Sequence, residues 1–290
     1  RIRPSLLPNA DEGVRWNIPD ALTGDWTEAL DAQAQDIASL YEKRAPVTLR
    51  VNTRKTTRDT ARVNLAAEGI QTEPVSWQST ALMVLGNARG VQNCSAYLDG
   101  LVEVQDAASQ WAAEHVPLGY DARVLDFCAG GGGKSLALAA REDCQIWAHD
   151  AKPLRMRDLA PRAKRAGAVI GLLETAKLAQ YGPFDTVVVD APCSGSGTWR
   201  RTPDTKWRTS RQALKGYHSM QLDVLSEAES LSQNTIVYMT CSLFNLENSE
   251  VIEKFIDNTS SWRLQSQELL LPTPENDGMF VAILTRLPEN

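Results

Sequence analysis

Hydrophobic and polar positions along this chain switch between two periods, and the switches mark out its elements. From Asp25 to Lys43, the residues Trp26, Leu30, Ile37, Leu40 and Tyr41 recur at spacings of three, four and seven, which predicts an amphipathic helix. Residues 1–24 mix Pro, Asn, Asp and Gly without a period and are expected to form an irregular arm or linker. Val47–Asn52 alternates as a strand does. Thr57 or Asp59 can cap a helix that runs through Leu65 and stops at Gly69, and Val75–Leu85 reads as a further strand or hairpin. This β-α-β order suggests a small α+β module; a plain packing extension fits the pattern equally well.

Beyond Val102, strands and helices alternate. Gln105–His115 predicts a helix, and Asp121 begins a turn into a strand at Val124–Cys128. Four consecutive glycines follow, then an Ala/Leu-rich helix to Ala140. Ile146–Asp150 reads as a strand and Leu154–Arg165 as a helix that Pro161 should kink or break. Val187–Val189 is too short and too branched for a helix and predicts a strand buried on both faces. Helices over Gln212–Ser230 and Glu247–Asn258 and strands over Thr235–Met239 and Met279–Leu284 complete the series. The fold class this implies is α/β, a doubly wound and mainly parallel sheet. The expected division is an arm over 1–24, a small α+β module with its connecting helix over 25–115, and the main domain over 116–290.

Composition narrows the class. The chain has 290 residues, 43% hydrophobic and 23% charged, as in globular proteins. No apolar run approaches the ~20 residues that span a bilayer, and Arg1-Ile-Arg-Pro-Ser lacks the apolar core of a signal peptide. The chain starts at Arg1 rather than Met, which leaves room for an upstream domain. Five scattered cysteines with no CxxC pair argue for a reducing, cytoplasmic compartment, and three unpaired histidines argue against a metal site. A net charge of −6 excludes nucleic-acid binding driven by the overall field, so RNA contact must come from local basic patches. A monomer is expected.

The loop Cys128-Ala129-Gly130-Gly131-Gly132-Gly133-Lys134 lies between strand and helix, where backbone amides can approach a ligand. A Walker pattern fits Gly133-Lys134-Ser135 but would need a glycine at Cys128, and a dinucleotide GxGxxG fails at Ser135 and Leu136. A nucleoside-type cofactor remains, with Asp150 placed for ribose hydroxyls; S-adenosylmethionine fits that description. Cys193 and Cys241 each open a Cys-Ser pair directly after a predicted strand. In a parallel sheet both would emerge beside the glycine loop, where a thiolate could attack an electrophilic ring carbon.

Leu125–Ser135, Asp190-Ala-Pro-Cys193-Ser-Gly-Ser-Gly197 and Thr240-Cys-Ser242 resemble the signature motifs of the Sun/Fmu family of RNA cytosine-5 methyltransferases. Leu49–Asn52, Val104–Gln110, Thr198–Asp204 and Asp277–Ala282 add to the resemblance, which covers Val47 to the C-terminus and is nearest to the bacterial small-subunit ribosomal RNA enzymes. The resemblance implies a Rossmann-like class I methyltransferase sheet behind an RRM-like RNA-binding module. It also implies that Cys241 adds to carbon 6 of cytosine, that Cys193 helps eliminate the enzyme, and that Asp190 contacts ring nitrogen 3. By the same resemblance, residues 128–134 with Asp150 and Asp190 hold the cofactor, on an unpaired or flipped-out base. Ribosomal RNA is the expected substrate, with transfer RNA the alternative.

Two positions depart from the family. Gly130-Gly131 replaces Ala-Pro, and only Glu174 stands near the place where the family has an Asp before the Val187 strand. Those departures motivate a rival reading as a ribosome-assembly factor on a methyltransferase fold; a P-loop NTPase is the other rival. Three basic clusters are candidates for RNA. Arg200, Arg201 and Lys206, with Trp199 and Trp207 interleaved, suit phosphate contact and stacking. Arg50, Arg54 and Lys55, with Arg58, form a second surface. Arg155–Arg165 reads better as a solvated helix face.

Overall fold

The computed structural model describes residues 12–288. Helices α1 (Glu12–Trp16), α2 (Thr23–Leu30) and α3 (Ala34–Leu40) lead the chain. The arm expected over 1–24 is therefore helical from Glu12 onward, and residues 1–11 lie outside the described residues. Ile18 and Leu22 explain the difference: they pack with Trp26, Leu30 and Ile37 in one apolar cluster, so this stretch has a face to cover. The single helix expected over 25–43 is interrupted at Asp31, whose φ of 44° starts a 3₁₀ turn between α2 and α3. Asp tolerates that backbone region better than most residues do. The cluster does not face the small module. It covers Trp199, Leu214, Leu243 and Phe244 of the large unit, with Trp26 stacked on Trp199 at 5.8 Å and 7°.

The small module runs β1 (Thr48–Val51), α4 (Arg58–Ala67), β2 (Thr72–Pro74), β3 (Ala81–Val84), α5 (Ser95–Leu98) and β4 (Val102–Val104). Its antiparallel order β2-β3-β1-β4 makes the βαββαβ pattern of a ferredoxin-like domain. Thr57 Oγ1 accepts the Thr60 N–H at 3.2 Å and caps α4, and Gly69 ends that helix at φ 75°. The stretch 75–85 is a strand only over Ala81–Val84, returning on β2; α5 and β4 are too short to show a period. Leu49 and Val51 of β1 face the α4/α5 core. Arg50, pointing the other way, donates to Leu136 O of the large unit at 3.0 Å.

The large unit follows: α6 (Ala107–Glu114), β5 (Arg123–Asp126), α7 (Gly133–Ala139), β6 (Gln145–Ala148), α8 (Leu159–Ala166), β7 (Ile170–Leu172), α9 (Leu178–Tyr181) and β8 (Phe184–Asp190). Then come α10 (Pro203–Arg208), α11 (Arg211–Leu231), β9 (Ser232–Thr240), α12 (Ser249–Asp257), β10 (Trp262–Leu270) and β11 (Met279–Arg286). The sheet order is β10-β11-β9-β8-β5-β6-β7. Five strands are parallel; β11 runs antiparallel to β9, and β10, at the edge, antiparallel to β11. Val187, Val188 and Val189 are fully buried at its centre. Pro161 does not break its helix, because it falls in the first turn of α8, where a missing N–H leaves no bond unmade. Among the described residues, no helix is long and apolar enough to cross a membrane.

Candidate active site

Strands β5, β6, β8 and β9 deliver Asp126, Asp150, Asp190 and Cys241 to the carboxyl edge of the sheet, the edge where ligands of open α/β sheets bind. The glycine loop turns there at Gly132, whose φ is 80°; a Cβ at this position would lie 2.5 Å from Leu159 Cγ, so no other residue fits. At Gly130 a Cβ would meet nothing within 4 Å, so the loop borders open space. Gly130 N–H donates to Asp150 Oδ2 at 3.1 Å, and Lys152 N–H donates to Oδ1 at 2.8 Å. On the other side, Arg162 donates to Gly131 O and pairs at 3.5 Å with Glu103 of β4.

Three carboxylates converge on Cys128. Burial pushes the Cys128 thiol up, and Asp126, Asp190 and Asp150 push it further. Burial likewise raises the Asp126 carboxyl to about 7, against the opposing hydrogen bond that Ser135 Oγ donates at 2.5 Å; its other oxygen has no partner. Lys134 Nζ, buried, donates to Asp190 Oδ2 at 3.1 Å and to Ser109 Oγ at 2.8 Å. Lys134 pairs with Asp190 and the partly exposed Arg155 with Asp150 at 3.6 Å, so two cations stand among the three carboxyls at this edge. Glu174 is exposed, just past the end of β7.

The two thiols lie together. Cys193 Sγ and Cys241 Sγ are 3.4 Å apart. Gly197 N–H donates to Cys241 O at 2.8 Å and Gly278 N–H to Gly197 O at 3.0 Å, which ties the Cys193 loop to both neighbouring strands. Tyr41 Oη, from the N-terminal helices, donates to Ser196 O at 2.6 Å. The hydrogen bond with Cys241 raises the Cys193 thiol well above its ordinary value, and burial, the Cys241 charge and Glu247 add to the rise. The rise favours the protonated form of Cys193, and the two sulfurs share the hydrogen bond between them.

The basic residues expected to meet RNA are largely used by the fold. Arg50 is 6% exposed; burial lowers its guanidinium to about 10 against the attraction of Glu103. Arg200 is buried on Asp277, at 2.7 Å, and on Thr273 O and Asn276 O. Arg201 bridges Asp277 and Asp106, joining the Cys193 loop to α6. Lys206 is 5% exposed, and burial lowers its ammonium. Lys55 Nζ donates to Arg165 O at 2.7 Å, at the carbonyl end of α8, where a cation is favoured. Arg54 keeps a half-exposed ion pair with Asp143 at 2.6 Å. The module has the RRM-like shape expected, and its sheet faces the large unit: Arg50 reaches Leu136 O, and Thr80 and Gln110 bond across the same junction at 2.8 Å. Sequence reasoning passed over Ser109, Arg162, Gln221 and Glu247. Only Ser109 had a signal, its place in Val104–Gln110; the others meet the site from distant elements.

Comparison with known proteins matches residues 117–285 to a family model described as 16S rRNA methyltransferase RsmB/F. Residues 18–91 match the ferredoxin-like domain of RsmF/B-like methyltransferases. A probable ribosomal RNA small subunit methyltransferase B of Synechocystis is 27% identical over 96% of this chain and 65% of its own length. Its Bacillus subtilis counterpart is 31% identical over 82% of this chain and 55% of its own length. The chain thus spans two thirds or less of these curated relatives. A solved methyltransferase homolog from Pyrococcus horikoshii, 24% identical, shares the fold with a TM-score of 0.81 over 95% of this chain and 97% of that one.

Proposed function

The chain belongs to the 16S rRNA methyltransferase RsmB/F family, and on that premise we propose that it methylates carbon 5 of a cytosine in small-subunit ribosomal RNA through a covalent cysteine adduct. The observation that carries the reading is the pair of sulfurs 3.4 Å apart, just past the ends of β9 and of β8, the strand that closes on Asp190. Family membership sets aside the NTPase reading of Gly133-Lys134-Ser135, and the Lys134 ammonium is already committed to Asp190 and Ser109.

The acid-lined pocket fits S-adenosylmethionine, whose sulfonium and ammonium are both cationic. Residues 128–134 with Asp150 and Asp190 would hold it there, and when bound it supplies an electrophilic methyl group. The chain's own residues do the rest. Cys241 sulfur bonds to carbon 6, and the electron pair displaced from the C5–C6 double bond makes carbon 5 nucleophilic. Asp190 hydrogen-bonds ring nitrogen 3 through a proton held between its carboxyl and that nitrogen, which offsets the negative charge that builds on the ring. After methylation Cys193, its own proton lost to solvent, takes the proton from carbon 5 as a thiolate; the C5–C6 double bond re-forms and the Cys241 sulfur leaves. The order of events has a physical basis: once Cys241 is bonded to carbon 6 its charge is gone, and with it two of the causes that hold Cys193 protonated. The releasing thiol is freed to act only after the attacking one is engaged.

The test is methyl transfer from labelled S-adenosylmethionine to small-subunit RNA, followed by denaturing gels. Cys241→Ala should abolish transfer and form no adduct; Cys193→Ala should accumulate an adduct that survives denaturation. An adduct with Cys241→Ala would reverse the two roles. No cofactor binding at millimolar concentration would favour the assembly-factor reading instead.

A further inference from the structure

The two Cys-Ser pairs share more than a position at the sheet edge: their serines bind one buried side chain. Ser194, next to Cys193, and Ser242, next to Cys241, both donate through their hydroxyls to Glu247 Oε2, each at 2.5 Å. Ser194 N–H donates to Glu247 Oε1 at 2.8 Å, and Gln221 Nε2 of α11 donates to the same oxygen at 3.2 Å. Tyr238 Oη of β9 donates to Glu247 O at 2.7 Å and fixes the turn that carries it. Glu247 has no exposed surface. All four contacts to its carboxyl oxygens come from donors, and these hydrogen bonds oppose the rise that burial gives the carboxyl. Burying an ion costs several kcal/mol, and apolar packing would stabilise a loop junction at less cost. What apolar packing does not provide is a fixed register between two loops together with a charge beside one of them.

We infer that Glu247 is the positioning residue of this site, holding the two thiol loops at the separation that lets Cys193 face Cys241. The inference rests on the roles given above to Cys241 and Cys193. Cys193 lies against Cys241 at the end of β9, its neighbour Ser194 bonds Glu247, and Tyr238 holds the Glu247 carbonyl. Tyr238 stays protonated, since burial, then Cys193 and Glu247, raise its hydroxyl well above the ordinary value. His218 of α11 is turned to Leu246 O at 2.7 Å. In the covalent adduct Glu247 is the neighbouring charge that remains to raise Cys193.

Glu247→Gln removes the charge and keeps an oxygen for Ser194 N–H and Gln221. It should fold and bind cofactor normally, slow single-turnover transfer by at least about tenfold, and move the pH profile of adduct release to lower pH. Glu247→Asp keeps the charge but is one methylene shorter: it should be slow with an unshifted profile. A second arm needs neither RNA nor cofactor. In a Cys241→Ser background, iodoacetamide alkylation of Cys193, followed against pH by peptide mass, should shift to lower pH when Glu247→Gln is added. Wild-type rates and an unshifted alkylation profile in Glu247→Gln overturn the inference. If Glu247→Gln fails to fold, wild-type transfer by Glu247→Asp overturns it and slow transfer at unshifted pH supports it. An unmodified protein that transfers no methyl group defeats the proposed reaction, while the alkylation arm still decides the role of Glu247.

Discussion

Gly197 gives the sharpest test of how the thiols are placed. A Cβ there would stand 2.7 Å from Gly278 O, 2.9 Å from Cys241 O and 2.9 Å from Gly278 Cα. These are backbone atoms of two packed strand ends, so they cannot swing aside as a side chain does. Restoring ordinary contact requires the Cys193 loop, Cys241 or Gly278 to shift by roughly half an ångström or more. Overpacking of this kind costs about 1–3 kcal/mol, and weakening the Gly197–Cys241 and Gly278–Gly197 hydrogen bonds adds about 1 kcal/mol each. Gly197→Ala should therefore lose about 3–5 kcal/mol in urea unfolding, and single-turnover transfer should fall up to about a hundredfold because Cys241, the proposed nucleophile, is displaced. Gly216→Ala is the control: it lies in the exposed middle of α11 with nothing within 4 Å of its Cβ, and should gain about 0.5–1 kcal/mol. Both variants behaving alike, or Gly197→Ala transferring at the wild-type rate, would refute the steric argument.

Asp126 predicts a pH dependence. Its carboxyl is raised in the folded protein, so its contribution is complete below the unfolded value near 4 and is lost as pH rises toward about 7; the loss amounts to at most about 4 kcal/mol. Denaturation curves from pH 4.5 to 8 should show that slope, and Asp126→Asn should flatten it. Arg50→Ala should destabilise by about 1–3 kcal/mol, since it leaves Leu136 O short of a donor while Glu103 keeps Arg162 and Arg165; a phosphate-contact role would instead reduce the salt dependence of RNA binding. Trp199→Ala removes a fully buried ring stacked on Trp26, and should cost about 3–5 kcal/mol in chemical denaturation.

The sequence made the parallel core legible because Val187–Val189, the glycine loop and the helix ends are local signals. β4 and β7, with three residues each, are too short to show a period, and β10 carries polar residues on an edge strand, so none announced itself. The thiols and Asp190 were readable because strand ends in one sheet share an edge. Glu247 and Gln221 were not, because a carboxylate between two loops is a tertiary contact with no spacing to betray it. The basic residues misled for the opposite reason: Arg50, Arg200 and Lys206 look like surface charge in sequence, and only packing reveals that Asp277, backbone carbonyls and burial claim them.

Glu103 of the small module reaches across to Arg162, and Arg162 holds the carbonyl of Gly131 in the cofactor loop. The module is thus linked thermodynamically to the pocket. Whatever free energy its docking contributes to ordering that loop, a ligand that needs the ordered loop must return as tighter docking. A catalytic domain cut free of the module would keep every residue named in its motifs and still bind its ligand less tightly.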